Sequence, residues 1–464
     1  MSKFLVRILL LTSAMTIAVL AQDVTGDWIG EMNGGFKVRI HIEKSGSGFS
    51  GKLINPSGNE TVLDRITLDG THLQFAVNNL SLSYAGVWNE HDKLWNGNLT
   101  FQQVYPLVLR HATADEFAPV VHRRPQEEAI RVASTPYIQR DVRFDNLAAH
   151  NHLAGTLSVP NGKGPFPAVV LISGTGHNTR DEEVWGHKVF LVLADDLNRD
   201  GIAVLRYDKR GVGGSSGDYD AATTADFTSD AQAAVTWLRT QSEIDATRVG
   251  VLGHSEGGMI ASAVAAADRT VAFVLMIAGP CIRGDRLFVL QSAMTAKVYG
   301  APDDYIARRK VFDQELYTAI VSAPSEAAAL TRAKELVARA VADKLVDANE
   351  AETLAQDDSR PWERYFLAYD PAPTLAKLTV PILVLNGSLD VQVPAKENLA
   401  AAREALKNNP NASVMELQGM NHLLQQAKTG APSEYNDIEE TMSPTAMKII
   451  TDWARMHSSS PGHR

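Results

Sequence analysis

One stretch restricts the fold of this 464-residue chain more than any other: residues 248–266, RVGVLGHSEGGMIASAVAA. Residues 249–252 form a short apolar run, which reads as a buried strand. Gly253-His254-Ser255-Glu256-Gly257 is a tight turn, and Gly258 leads into a helix rich in small residues at 259–267. A G-x-S-x-G pattern between a strand and a helix is a nucleophile elbow. The turn is strained, so the positions two residues either side of Ser255 must be very small, and both are glycine. The product is a hydroxyl held out at the C-terminal edge of a sheet, above a helix N-terminus. The pattern alone is weak, because Gly213-Gly214-Ser215-Ser216-Gly217 also fits it. That copy lies in a polar Gly/Ser loop with no small-residue helix behind it, so structural context selects Ser255.

A strand–helix rhythm surrounds the elbow and predicts an α/β fold with a mostly parallel sheet. Strands are expected at 168–172, 202–207, 273–277, 381–385 and 413–417, with helices near 188–199, 227–239 and 444–453. Residues 141–145 and 152–159 look like an antiparallel pair at the sheet edge. The rhythm stops between 282 and 372, where the chain is helical and charged. There Ser325 is a good N-cap, Leu330, Val337, Val341 and Leu345 form a stripe, and aromatic residues recur. This segment reads as a helical cap inserted between two halves, 136–281 and 373–464, of one catalytic domain. Residues 22–111 read instead as a small antiparallel all-β domain, a sandwich or barrel. Alternation at 36–42 and strands at 73–77, 82–87 and 94–101 carry that reading. Turn residues lie at Gly46, Gly48, Gly51 and 56–59, and hairpin signals at Asp69-Gly70 and Asn96-Gly97. Trp28, Trp88 and Trp95 read as its core, with a ligand cleft as the rival reading. Residues 112–135, polar and broken by Pro125, suit a linker.

Length predicts two or three domains. The net charge of −10 argues against nucleic acid as a partner. Lys3 and Arg7 precede an apolar run at 8–20, and Val19-Leu20-Ala21 partly meets the small-x-small cleavage pattern. This layout predicts a signal peptide at 1–21, export to a periplasm or the medium, and no stable membrane anchor after cleavage. The one cysteine, Cys281, can form no internal disulfide, so stability must rest on the core.

A serine hydroxyl needs an adjacent base to become a nucleophile at neutral pH. His422, in Asn421-His422 after the 413–417 strand, stands where that base is expected. A carboxylate must orient it, and Asp390, at the end of Asn386-Gly387-Ser388-Leu389-Asp390, follows the 381–385 strand. The chain order Ser255, Asp390, His422 is the order expected for this architecture. Asp437 and Glu397 are rival acids in helix or loop context, and His457 reads as a surface histidine. An oxyanion hole needs two backbone N–H donors. One is Glu256, implicated through its main chain alone. The other comes from the loop after the 168–172 strand, with Thr175 expected and Gly174 as its neighbour.

Together, Ser173-Gly174-Thr175-Gly176, Asp208-Lys209-Arg210-Gly211-Val212-Gly213, Gly253 to Gly257, Gly387 to Asp390, and His422 resemble the α/β-hydrolase superfamily. The likeness is to bacterial esterases near the serine aminopeptidase-like and dienelactone hydrolase-like branches. It runs from about Asp141 to the end, and the N-terminal β-domain lies outside it. Ser173-Gly174 departs from the His-Gly of many relatives, which bears on the second oxyanion donor. The resemblance implies a serine carboxylesterase for small or medium acyl esters, acting through an acyl-enzyme. No cofactor and no metal are expected, and the partner is a small-molecule ester. The pair His150 and His152 reads as strand histidines rather than ligands. Two other functions are consistent with the residues. One is aminopeptidase or thioesterase chemistry on the same triad, with Asp303 and Asp304 of the cap as anchors for a free amine. The other is ligand binding through the β-domain.

Overall fold

Eight strands, buried and apolar at the centre and more exposed at the two edges, build the larger domain around one sheet. Numbered in chain order, they are β1 (Tyr137–Asn146), β2 (Asn151–Pro160), β3 (Phe166–Ile172), β4 (Ala203–Tyr207), β5 (Ile244–His254), β6 (Val274–Ile277), β7 (Ile382–Gly387) and β8 (Ala412–Leu417). Their spatial order is β1-β2-β4-β3-β5-β6-β7-β8. β1 and β2 are antiparallel, β2 runs antiparallel to β4, and the remaining pairs are parallel. This is the α/β-hydrolase arrangement, seen in a computed structural model that describes residues 23–32, 37–54, 60–77, 82–101, 103–117, 122–348 and 351–458. The expected signal peptide at 1–21 and the turn at 56–59 lie outside the described residues.

Alternation along β3 shows how both faces are filled. Ala168, Val170 and Ile172 face one core with helices Thr224–Leu238, Glu256–Ala267 and Ala395–Ala405. Val169 and Leu171 face the other, with helices Val189–Arg199 and Pro444–Ser458. Each fully buried valine or leucine contributes roughly 1.5–3 kcal/mol relative to exposure, which holds the strand ends in register for the site above them. β5, which carries the elbow, lies at the centre between β3 and β6.

The cap leaves the sheet after β6 and returns before β7. Its main helices are Gly284–Val298, Asp303–Ser322, Glu326–Ala342 and Pro361–Ala368. Ser325 caps the third of these, its hydroxyl accepting the Ala328 N–H at 3.2 Å. The buried stripe there is Ala329, Ala333, Leu336, Val337 and Ala340, so Leu330 and Val341 flank it rather than define it.

The N-terminal half is a nine-stranded antiparallel sheet between Gly26 and His111, curled into a half-barrel. Trp28 and Trp95 are fully buried and Trp88 nearly so, with ring centroids 5.0–6.2 Å apart, so the tryptophans are core and line no cleft. Asp69-Gly70 makes a hairpin turn, with Gly70 at φ 57°. Asn96-Gly97 does not: both residues lie inside a strand, opposite Val87 and Gly86. Gly97 is needed there for close approach, since a Cβ would sit 2.6 Å from the Tyr84 hydroxyl that lies across it. Gly51 is likewise a strand residue, and a Cβ there would meet the His41 carbonyl at 2.4 Å.

Residues 124–127, after the β-domain, are docked on the larger domain. Helix Pro125–Val132 begins beside Arg124, whose buried guanidinium donates to the Trp185, Asn436 and Ile438 carbonyls. Gln126 and Glu127 both bond Thr441. A flexible tether would not bury an arginine in this way.

Candidate active site

At the end of β5 the chain makes the strained turn that its glycines allow. Ser255 adopts φ 55°, ψ −125°, in the left-handed region that non-glycine residues avoid. A Cβ on Gly253 would lie 1.8 Å from the Gly257 carbonyl oxygen, and one on Gly257 would lie 1.9 Å from that of Ile172. The turn therefore closes only with glycine at both positions. Ser255 N–H is tied to the Ile277 carbonyl at 2.9 Å, which anchors the elbow to β6. The residue stays partly exposed.

Asp390 and His422, placed by the ends of β7 and β8, meet. His422 Nδ1 lies 2.8 Å from Asp390 Oδ2. The other Asp390 oxygen accepts the Gln392 and Val393 N–H groups at 2.9 and 2.8 Å, so the carboxylate is held from both sides. Asp390 is 1% exposed and His422 5%. With Nδ1–H donating to Asp390, Nε2 is left as the acceptor. Among the described residues Ser255 Oγ has no hydrogen-bond partner, so the serine–histidine bond is not made in this state; such bonds commonly tighten only with substrate. The rival acids do not touch His422: Asp437 lies near His122 at 3.8 Å, and Glu397 is in the first turn of Ala395–Ala405. His457 stacks on Trp453.

Two residues near the site carried no signal in the sequence. His254 donates from Nε2 to the His422 carbonyl at 3.0 Å and from Nδ1 to Glu182 Oε1 at 3.1 Å. Both ring nitrogens therefore face acceptors. Burial opposes the imidazolium, but Glu182 and the His422 carbonyl outweigh it and raise the pKa above the ordinary value. Glu182 is 1% exposed, at φ 46°, and its Oε1 also accepts the Gly174 N–H at 2.6 Å. One carboxylate thus steadies both the β3 loop and the histidine next to Ser255. His254 at least stood inside the motif, whereas Glu182 is one of several acids in a loop.

Gly174 packs close to Ser255, since a Cβ there would lie 2.9 Å from the Ser255 Cβ. Its N–H is committed to Glu182. Thr175 N–H has no partner among the described residues, and Glu256 N–H is the first orphan donor of helix Glu256–Ala267. The Glu256 side chain is no bystander, in contrast to the expectation that its main chain alone matters. It is 1% exposed and its carboxylate accepts from Lys209 Nζ at 3.0 Å, Thr224 Oγ1 at 2.7 Å, Trp362 Nε1 at 2.7 Å and Thr175 Oγ1 at 3.4 Å.

Several other candidates make none of the contacts just described. Asp303 and Asp304 are exposed in the first turn of a cap helix. His150 lies in a turn at φ 52° rather than in a strand. Among the described residues, no group of three His, Cys, Asp or Glu is placed to hold a metal ion.

The family described as "Serine aminopeptidase, S33" matches residues 185–426, more than half of the chain. Esterase EstD of Thermotoga maritima is 30% identical over 279 residues, which is 59% of this chain; the alignment spans only 58% of the length of that relative. A solved esterase of Pyrococcus furiosus, Pf2001, superposes with a TM-score of 0.43 at 14% identity, covering 70% of this chain and 95% of that one. Est1E from Butyrivibrio proteoclasticus, solved with ferulic acid, gives a TM-score of 0.40 at 17% identity over 68% of this chain and 96% of its own.

Proposed function

Because the chain belongs to the serine aminopeptidase S33 family of α/β-hydrolases, we propose that it cleaves carboxylic esters through an acyl-enzyme formed on Ser255. The observation that carries this is the Asp390–His422 pair at 2.8 Å, its imidazole 4.8 Å from the ring of His254, which immediately precedes an elbow serine at φ 55°. His422 Nε2 takes the Ser255 proton as the oxygen attacks the ester carbonyl, and Asp390 stabilises the resulting imidazolium. The Thr175 and Glu256 N–H groups receive the alkoxide. His422 then protonates the leaving alcohol and afterwards activates the water that frees the acid. A positioned general base supplies about 10²–10⁴-fold, and each oxyanion donor about 10²–10³-fold. The esterase relative supports the choice of ester over other acyl compounds.

A panel of p-nitrophenyl acyl esters, from acetate to laurate, tests the reading. Wild-type enzyme should turn over the shorter members and Ser255→Ala should not. A wild type inert on every ester and unlabelled by a fluorophosphonate probe would defeat the proposal. Amide hydrolysis is the second reading, favoured by the family's own description. Aminoacyl p-nitroanilides turned over faster than any ester would select it. Export, proposed from the leader-like residues 1–21, is checked by sequencing the N-terminus of protein recovered from the periplasm and medium. Among the described residues, no helix is long and apolar enough to cross a membrane.

A further inference from the structure

We propose that the Glu256 carboxylate is a positioning group that couples the cap to both oxyanion donors, so that the hole is fully formed only when Trp362 is seated on it. The proposal rests on the Ser255 reading above. It deepens that reading by naming what sets the geometry of the hole.

Glu256 occupies a singular place in the chain. Its N–H is one of the two donors, while its side chain turns inward and meets four elements at once. Oε1 accepts Thr224 Oγ1, at the start of helix Thr224–Leu238, and Trp362 Nε1, at the start of cap helix Pro361–Ala368, both at 2.7 Å. Oε2 accepts Lys209 Nζ from the loop after β4 at 3.0 Å, and Thr175 Oγ1 from the loop after β3 at 3.4 Å. Thr175 supplies the second donor. The two peptide groups that would hold the alkoxide are therefore linked through one carboxylate, and among the described residues only Trp362 joins that carboxylate to the cap.

Electrostatics explains why such a carboxylate is tolerable beside a developing negative charge. A bare anion at this depth would oppose the alkoxide, because buried charges are weakly screened. The Lys209 ammonium is only 4% exposed and pairs with Glu256, so the pair presents little net charge to the reacting oxygen. The lysine also lies 4.2 Å over the Phe227 ring, which limits its movement. Lys209 and Thr224 alone would satisfy a merely structural glutamate. The Trp362 and Thr175 bonds are the ones a structural role does not require.

Packing makes Trp362 a credible sensor of the cap. Its ring stacks on Phe366 at 4.9 Å, and Phe366 stacks on Phe288 at 5.0 Å. The same cluster includes Met259 of the elbow helix and Val393 beside Asp390. Moving this aromatic group moves the indole N–H off Glu256. The carboxylate then loses one of its four restraints, and the Thr175 contact, the longest of the set, is the next to yield.

Trp362→Phe is the informative variant, because it keeps the ring and leaves the Lys209–Glu256 pair intact. With p-nitrophenyl acetate, kcat should fall on the order of tenfold, less than the loss of a whole oxyanion donor, while KM stays within about twofold. Thr175→Val should do the same, and the double variant should lose less than the product of the two singles, because both act through one carboxylate. Circular dichroism and the thermal midpoint confirm folding, and if Trp362→Phe does not fold, Thr175→Val carries the test. A kcat within twofold of wild type in both variants, or an effect confined to KM, overturns the proposal while a dead Ser255→Ala leaves the Ser255 reading standing. A wild type with no ester turnover and no labelled serine overturns both.

Discussion

Ser255 and Ser215 each sit at the centre of a G-x-S-x-G pattern, yet the structure treats them oppositely. Ser255 ends a central strand at φ 55°, remains partly exposed, and has an Oγ without a partner among the described residues. Ser215 is buried; its hydroxyl donates to the Asp208 carbonyl at 2.7 Å and accepts the Ala154 N–H at 2.9 Å. The first hydroxyl is presented, and the second is consumed in tying β2 to the loop after β4. The glycines differ in the same way. Gly253 and Gly257 are there because backbone passes where a Cβ would be, whereas Gly213 and Gly217 supply positive φ values of 54° and 104° to a loop organised by Arg180 and Asp208. Five residues define a backbone opportunity; the strand before and the helix behind decide whether it becomes an elbow.

The sharpest way to break this contrast is to remove each hydroxyl. Ser255→Ala should lower kcat/KM for p-nitrophenyl butyrate by at least about 10⁴-fold, as loss of a nucleophile in a working triad does. Ser215→Ala should leave it within about twofold. Residual activity in Ser255→Ala near the wild-type level would erase the distinction.

Next come the glycines. Gly253→Ala places a methyl 1.8 Å from the Gly257 carbonyl oxygen, so the elbow must open. Turnover should drop by about 10²-fold or more even where soluble protein is recovered, since an ångström of misplacement is enough for that. At Gly217 the nearest atom to an added Cβ is 3.4 Å away, and the cost is the φ of 104°. Gly217→Ala should lose about 1–2 kcal/mol in urea unfolding and keep its kcat. Equal kcat losses in the two variants would contradict the account.

Acid should separate the two loops as well. The chain after His422 is held by buried His187, which lies 2.6 Å from the Tyr435 carbonyl and 3.1 Å from Gln425 Nε2. Burial, with Arg124 and His122 nearby, pushes its pKa down to about 4. The unfolded chain then takes up the proton first, near the usual 6.5, so stability is lost as pH falls from 6.5 towards 4. The expected loss between pH 7 and pH 5 is about 2 kcal/mol, and His187→Gln should flatten that slope. The Ser215 loop hangs instead on Asp208, whose pKa is lowered: burial alone would raise it, but bonds from Arg180 and Gly214 prevail. Its contribution goes only below 3.8. Amide hydrogen exchange should therefore show protection at 422–441 failing at a higher pH than at 208–217. The reverse order would count against this assignment.

The smallest effect on turnover belongs to Ser215. Removing its hydroxyl orphans the Ala154 N–H, which should cost about 1–3 kcal/mol of unfolding free energy and shift the urea midpoint without altering the ester profile.

How much of this was legible in the chain differs by region. Ser255 and Asp390 each follow a buried apolar strand, and such strands announce themselves through continuous apolar runs, whereas His422 follows the half-exposed edge strand Ala412–Leu417. The half-barrel was legible in type from alternation, but Asn96-Gly97 misled as a hairpin signal. Its glycine answers to the Tyr84 hydroxyl across the strand, which local pattern cannot reveal. Glu182 and Trp362 were illegible for a related reason, and the stretches that contain His254 and Lys209 marked their positions without revealing what the side chains bond. Each of the four acts through partners distant in sequence. The docking of the segment expected as a linker, 112–135, was hidden likewise, because polarity reads as solvent exposure until Arg124 is seen among three carbonyls.

Peptide mapping by mass spectrometry after reaction with a fluorophosphonate tests the central contrast most directly. A single adduct is expected on the peptide carrying Ser255, absent in Ser255→Ala, and none on the peptide carrying Ser215. An unmodified Ser255, or an adduct on Ser215 instead, would contradict it.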